Sequence, residues 1–399
     1  MSNQAPLAQV LDKLTTVPSV KFHRDLSYLV ISDIHLGHRN TTTKEIVQHL
    51  DAYFGYYASP HAFTTLDILF IAGDLFDTAL LFTQDEIAII QGWMYRLLDY
   101  CVKHQIKLRI LEGTPSHDNF QCRNFLYMAE RYGTDLDFKY VETLHIEKME
   151  DLGLSILYVP DEWTATTDKT QVQVQELLKE ATLSHVDIAI MHGMFTYQVP
   201  ELTNATLKHS ELFYLDIVKY FICIGHVHVF STFDRIIAQG SFDRLAHGEE
   251  SPKGGVFCYL NKDGQHGYVF LENPNAKIYK TITVRYTDID KAMAQLANVI
   301  DKLPPESYVR IKAKTDHPIL QGLSTFKTSY PFIHFSKLTM EDEQTTKIIQ
   351  EYVDNETDYI PININKENIV SLLMDEIISK YNIDDNQISL LKKHLTKIA

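Results

Sequence analysis

A chain of 399 residues with 45% hydrophobic and 22% charged side chains can bury a large core and is too apolar to be disordered. Its 52 acidic against 37 basic residues, a net charge of −15, exclude a protein that grips nucleic acid by bulk positive charge. The imbalance is local: residues 1–279 hold 22 basic and 35 acidic residues and 15 of the 18 histidines, whereas 280–399 hold 15 and 17.

The N-terminus, Met-Ser-Asn-Gln-Ala-Pro, is polar, and no apolar stretch approaches the ~20 residues that cross a bilayer. Cys101, Cys122, Cys223 and Cys258 lie far apart and read as reduced, buried thiols of a cytoplasmic protein with no membrane association. From residue 26 onward, apolar β-branched runs predict strands at Ser27–Ser32, Asp67–Ala72, Ile106–Leu111, Ser155–Val159, Asp187–Met191 and Phe221–Ile224. Helical periodicity predicts helices at Thr43–Tyr57, Thr83–Lys103, Phe120–Arg131 and Lys169–Ala181 between them, an α/β layered domain. Beyond Gly225, strands at Gly254–Asn261 and Gly267–Leu271 continue the sheets in antiparallel fashion.

Composition shifts at Glu272-Asn-Pro-Asn-Ala, which divides a domain at 1–274 from a small α+β unit at 275–338. That unit is read as strand Ile278–Arg285, helix Ile289–Lys302 and strands Tyr308–Lys314 and Pro331–Leu338. Residues 339–399 form an acidic helix Met340–Val353, a linker, and two amphipathic helices, Glu367–Lys380 and Asn386–Ile398.

Five polar clusters follow predicted strands, where layered α/β folds place their binding loops. They are Asp33-Ile-His35-Leu-Gly37, Gly73-Asp74-Leu-Phe-Asp77, Gly113-Thr-Pro-Ser116-His117-Asp118, Met191-His192-Gly193 and Gly225-His226-Val-His228. Each alone is common; the ordered set is not. Imidazole and carboxylate suit Mn²⁺, Fe²⁺ or Zn²⁺. Two such ions ~3.5–4 Å apart can clamp a phosphate and activate a water. A further imidazole can protonate the leaving group.

The ordered set resembles calcineurin-like metallophosphoesterases, and within them the SbcD nuclease subunit and its double-strand-break-repair counterparts, bacteriophage versions included. Asp-Ile-His-Leu-Gly-His, Gly-Asp-Leu-Phe-Asp-Thr and the stretch Gly240-Ser241-Phe-Asp-Arg244 to Lys253-Gly254 carry that likeness over about residues 26–260. The resemblance implies a layered metallophosphoesterase core of two sheets flanked by helices, a capping domain at 275–338 that directs DNA, and C-terminal helices that bind an SbcC-like coiled-coil ATPase. It implies a Mn²⁺-preferring nuclease, with Mg²⁺ as the alternative. Such an enzyme acts as an exonuclease on duplex ends and an endonuclease on single strands or hairpins, and as a homodimer. Position by position, Asp33, His35, Asp74 and His228 would hold one metal. Asp74 would bridge to a second, held also by His192 and His226. His117 would be the acid, oriented by Asp77. The family's Asn before the catalytic His is missing, and Ser116, Thr114 or a water would stand in for it, so a weaker second metal site is expected. The alternatives are a phosphatase or cyclic-nucleotide phosphodiesterase on the same site, or a regulatory subunit with weakened catalysis. Arg39, Arg123 and Arg244 are candidate phosphate contacts by chemistry alone.

Overall fold

The computed structural model describes residues 15–16, 25–38, 42–57, 66–80, 86–199 and 207–340. In chain order the strands are β1 (Thr15–Thr16), β2 (Leu26–Ile31), β3 (Ile68–Ala72), β4 (Lys107–Leu111), β5 (Phe138–Val141), β6 (His145–Met149), β7 (Leu154–Val159), β8 (Ile188–Phe195) and β9 (Lys208–His209). They continue as β10 (Ile222–His226), β11 (Ser231–Phe233), β12 (Ile236–Ala238), β13 (Gly254–Leu260), β14 (Gln265–Glu272), β15 (Tyr279–Thr283), β16 (Tyr308–Lys314) and β17 (His334–Met340). The helices are α1 (Thr43–Tyr57), α2 (Glu86–His104), α3 (Arg123–Ala129), α4 (Thr167–Glu180), α5 (Glu211–Ile217), α6 (Ile289–Ile300), α7 (Pro318–Gln321) and α8 (Leu323–Ser329).

Two sheets carry the described residues up to Glu272. One has the order β1-β14-β13-β2-β3-β4-β5, with β2 to β5 parallel and β13 antiparallel to β2. The other has the order β11-β12-β10-β8-β7-β6, parallel from β12 to β7 and antiparallel at both edges. Side chains alternate across a strand, and the sequence uses both faces. On β2, Tyr28 and Val30 join Phe70, Ile156, Tyr158 and Ile190 in a core between the sheets. Leu29 and Ile31 face outward beneath Ile46 and Leu50 of α1 and Trp93 and Leu97 of α2. Val174 and Leu178 of α4 and Tyr214 of α5 cover Leu157, Ala189 and Ile222 of the second sheet. The result is a mixed α/β fold of four layers, helix, sheet, sheet, helix. The apolar stripe of α2 is thus consumed by its own sheet.

Residues 279–340 add a three-stranded sheet, β15-β16-β17, whose own core joins Ile282, Leu296, Val309, Ile311 and Phe326. Its first two strands are parallel, with α6 as the crossover. Arg244, read from sequence as a phosphate contact, is instead a strut here: its guanidinium donates to the carbonyls of Ser251 and Lys277. Backbone contacts divide the chain into Met1–Leu338 and Thr339–Ala399.

Strands β5 and β6 were not anticipated. Lys139, His145, Glu147 and Lys148 interrupt them and five of their nine positions are only half-buried, so no uninterrupted apolar run announces them. The helix expected at Phe120–Arg131 shortens to α3 and continues as 3₁₀ turns to Asp135. Arg39, the start of the helix expected from Thr83, and the three C-terminal helices with their linker lie outside the described residues, Met340 apart. Among the described residues no helix is long and apolar enough to cross a membrane. All four cysteines are buried and free.

Candidate metal centre

Parallel strands send all their C-terminal ends to one edge, and here both sheets do so side by side. The loops after β2 and β3 run together: Asp33 N–H donates to Gly73 O, and His35 N–H to Asp74 O at 3.1 Å. The loop after β4 closes against them at Gly113, where a Cβ would stand 2.1 Å from Asp74 N, so only glycine fits. Asp118 fastens the same loops, accepting from Phe76 N–H at 2.9 Å and Gly113 N–H at 2.8 Å. Burial and the nearby Asp74 push the Asp118 carboxyl up to about 8.

Backbone strain concentrates at this edge. Of the eleven described non-glycine residues with positive φ, four are Asp33, His35, Asp74 and His226. Each such conformation costs on the order of 1–3 kcal/mol and persists only where surrounding structure enforces it.

The imidazoles are aimed by their outer nitrogens. His192 Nδ1 donates to Ala72 O at 2.7 Å, His228 Nδ1 meets Glu249 Oε1 at 2.8 Å, and His117 Nδ1 donates to Asp77 O at 2.6 Å. His35 Nδ1 faces Asp77 Oδ1 at 3.2 Å, an ion-pair distance without hydrogen-bond geometry. With Nδ1 so engaged, Nε2 is the nitrogen left for the centre, the arrangement that fixes tautomer and ring orientation in metal-binding histidines. Inside, His35 Nε2 and His228 Nε2 stand 3.1 Å apart, and His192 Nε2 is 3.2 Å from Asp74 Oδ2. His192 is fully buried, and its Nε2 has no hydrogen-bond partner.

Three groups of potential ligands share members: Asp33, His35 and His228; His35, Asp74 and His117; Asp74, His192 and His226. Ligands ~2.1 Å from an octahedral ion stand ~3 Å apart; His35 to His228 and His192 to Asp74 have that spacing, while His228 to Asp33 at 3.8 Å and His35 to Asp74 at 4.0 Å are wider. The donors are imidazole and carboxylate without thiolate, so the residues fit hard to borderline divalent ions. Electrostatics agree. Burial works against charge at Asp74, yet His192, His35 and the Thr114 N–H hold its carboxyl well below the usual range. Burial likewise opposes charge on His192, but Asp74, Asp33 and Asp161 raise its pKa well above the ordinary value. A dication would take over the role of those protons.

No family model matches this chain, and no curated protein does. Among solved structures, one at 14% identity covers 62% of this chain and 100% of its own, with a TM-score of 0.37. The TT1561 protein of Thermus thermophilus, at 10% identity, covers 62% of this chain and 99% of its own, with a TM-score of 0.33. At these values neither likeness bears on function.

The structure thus brings together Asp33, His35, Asp74, His117, His192, His226 and His228. It does not bring in Ser116, which is exposed on the turn. The buried residue there is Thr114, whose N–H donates to Asp74 Oδ1 at 2.7 Å. Asp77 is present, but its carboxylate serves His35, and only its main-chain carbonyl holds His117. Arg123 is exposed and paired with Glu142 at 2.6 Å, which leaves it no role at the centre. By sequence, Asp161-Glu-Trp163 after the strand Ser155–Val159 is only a candidate for the border of a cleft, and Glu249, beneath His228, has no assigned role. Both lie far along the chain from what they touch, and no local spacing announces either.

A second buried group, Glu112, Asp118 and Cys122, also has ligand spacing. Its carboxylates are already satisfied by the N–H groups of Phe120, Phe76 and Gly113 and by the Tyr140 hydroxyl, so it serves as a structural clamp.

Proposed function

We propose that this chain is a two-metal phosphodiesterase of the SbcD type, a Mn²⁺-dependent DNA nuclease with the layering of the metallophosphoesterases. One observation carries the reading: strand-end loops of two sheets turn imidazole nitrogens onto Asp33 and the shared carboxylate of Asp74, with the outer nitrogens of His192 and His228 fixed by oxygen acceptors. One ion would be held by Asp33, His35, Asp74 and His228, the other by Asp74, His192 and His226. Ions bound there would supply Lewis-acid charge at the phosphate and lower the pKa of an attacking water.

The chain's own residues account for the rest. Asp77 O accepts from His117 Nδ1, so the transferable proton of His117 sits at Nε2, ready for the leaving oxygen. Thr114 N–H and the neighbouring imidazoles keep Asp74 ionised and in register. A pocket of about 420 Å³, lined by His247, Tyr279, Tyr308, Arg310 and His334 among others, is a candidate seat for part of a nucleic-acid strand. Its rings stack, Tyr279 on Tyr308 at 4.9 Å and Tyr308 on His334 at 4.5 Å, with Lys277 Nζ 5.1 Å above Tyr308. Aromatic faces combined with cationic side chains are how single-stranded nucleic acid is commonly held. Binding of an ATPase by residues 339–399 and dimerisation belong to the same reading and rest on the sequence.

The test is cleavage of end-labelled duplex and single-stranded DNA with Mn²⁺, compared with nitrophenyl phosphate mono- and diesters. Asp74→Ala should abolish both metal binding and cleavage. His117→Ala should lower kcat on the order of 10²–10⁴-fold with metal binding kept. DNA cleavage retained in both variants, or monoester hydrolysis alone in the wild type, would refute the nuclease reading.

A further inference from the structure

The group Asp74, His192 and His226 supplies only three side-chain ligands, and Thr114 lies beside it. A threonine hydroxyl is short. It is also surrounded: Thr114 Oγ1 is 3.3 Å from Asp74 Oδ2, 3.3 Å from His226 Nδ1 and 3.1 Å from Asp161 Oδ2. One hydroxyl hydrogen cannot satisfy two carboxylates at once.

Asp161 follows β7 on the second sheet and approaches the group from the His226 side, its Oδ2 3.4 Å from His226 Nδ1. It is 9% exposed, and no lysine or arginine pairs with it among the described residues. Its other oxygen is already used, since Oδ1 accepts from Glu162 N–H at 2.9 Å, which leaves Oδ2 turned to Thr114 and His226. Next to His192, the chain leaves room for it. Gly193 has φ +134°, and a Cβ there would stand 3.2 Å from Asp161 Oδ1. A buried carboxylate whose basic neighbours are imidazoles that also face a metal site is costly unless a cation compensates it. The orphaned, fully buried His192 Nε2 marks where that cation belongs.

We infer that Asp161 is the remaining protein ligand of the second metal, a carboxylate supplied from another strand in place of an amide, with the Thr114 hydroxyl donating to it and setting its angle. This rests on the dinuclear reading above and deepens it. Three carboxylates, Asp33, Asp74 and Asp161, would then face two dications, so the second site binds tightly, the reverse of the weakened site expected from the sequence.

The full chain, stripped by chelation, is titrated with Mn²⁺ by calorimetry and by electron paramagnetic resonance. Wild type should bind two ions per chain with a spin-coupled signal. Asp161→Asn should keep one site unchanged and weaken the other by about 100-fold, leaving the signal of an isolated ion. Thr114→Val, which keeps the carboxylate, should weaken the same site by about tenfold and provides the readout should Asp161→Asn not fold. Two undiminished sites in folded Asp161→Asn, or in Thr114→Val where that is the readout, would overturn the assignment of Asp161 while leaving the dinuclear centre intact. No Mn²⁺ bound by wild type would overturn the dinuclear centre itself, and Asp161 with it.

Discussion

The carboxylate of Asp77 belongs to His35: Oδ1 lies 3.2 Å from His35 Nδ1, on the side of the ring away from His228. His117, forty residues along, takes only the main-chain carbonyl of Asp77, at 2.6 Å. One residue therefore fixes two imidazoles with different atoms, and side-chain replacement separates them. Burial opposes charge on Asp77, but His35 beside it holds the carboxyl below its ordinary value.

Asp77→Asn should weaken Mn²⁺ at the His35 site by ~10–100-fold, the range for outer partners of metal-binding histidines. At saturating Mn²⁺, kcat should stay within a few-fold of wild type, because the acceptor that orients His117 survives. Unchanged Mn²⁺ affinity with a collapsed kcat would instead assign the carboxylate to His117.

Lys253 is fully buried, donating to His228 O at 2.7 Å and Ser241 Oγ at 2.8 Å, and it stands 3.4 Å from Glu249. Glu249 in turn holds His228, so the lysine secures a candidate metal ligand from behind. Lys253→Met leaves the Glu249 carboxylate half-compensated and should destabilise the chain by about 3–5 kcal/mol. Urea unfolding measures this. A loss below about 1 kcal/mol, the scale of an exposed pair, would show that His228 alone suffices for Glu249.

Much of the fold was legible because burial on both faces writes itself as uninterrupted apolar runs. Leu-Ser-Tyr-Leu-Val-Ile and Ile-Leu-Phe-Ile-Ala became β2 and β3 within a residue of their expected bounds, and α1 matched Thr43–Tyr57. Edge strands were hidden, since Lys139, His145 and Glu147 are partly exposed and pair with one another. Site residues within one strand-end loop could be read from spacing. Those that depend on contacts between sheets, such as Asp161 against Thr114 or Glu249 against His228, carry no local signature, and that is how Ser116 displaced Thr114 in the sequence reading.

Arg310 lines the aromatic pocket, and among the described residues no carboxylate pairs with it. Burial and this arginine push the His247 imidazole down to about 4, so at neutral pH the guanidinium is the charge facing a ligand. Arg310→Ala should weaken binding of a single-stranded oligonucleotide by about tenfold, one lost charge-assisted contact, while hydrolysis of a nitrophenyl diester is unaffected. Fluorescence anisotropy at fixed salt checks it. An unchanged Kd would remove the pocket from the strand's path.

The α+β unit is fastened to the preceding layers by two ion pairs, Lys280 to Glu250 at 2.7 Å and Lys277 to Glu45 at 2.9 Å. Burial raises the pKa of each glutamate, but hydrogen bonds win in both. Lys280 and the Thr281 N–H hold Glu250 below its ordinary value, and Lys277 and Thr42 do the same for Glu45. A carboxyl held lower in the folded chain stabilises fully above its unfolded pKa, about 4.3, and loses that contribution as pH falls through the folded value. Attachment of residues 277–338 should therefore be constant from about pH 7 to about 5 and weaken below about 4. Hydrogen exchange across β15 should accelerate there before it does across β2. Glu250→Gln combined with Glu45→Gln should produce the acid behaviour already at neutral pH. Exchange in that double variant indistinguishable from wild type would show that apolar contact, not these carboxylates, holds the unit in place.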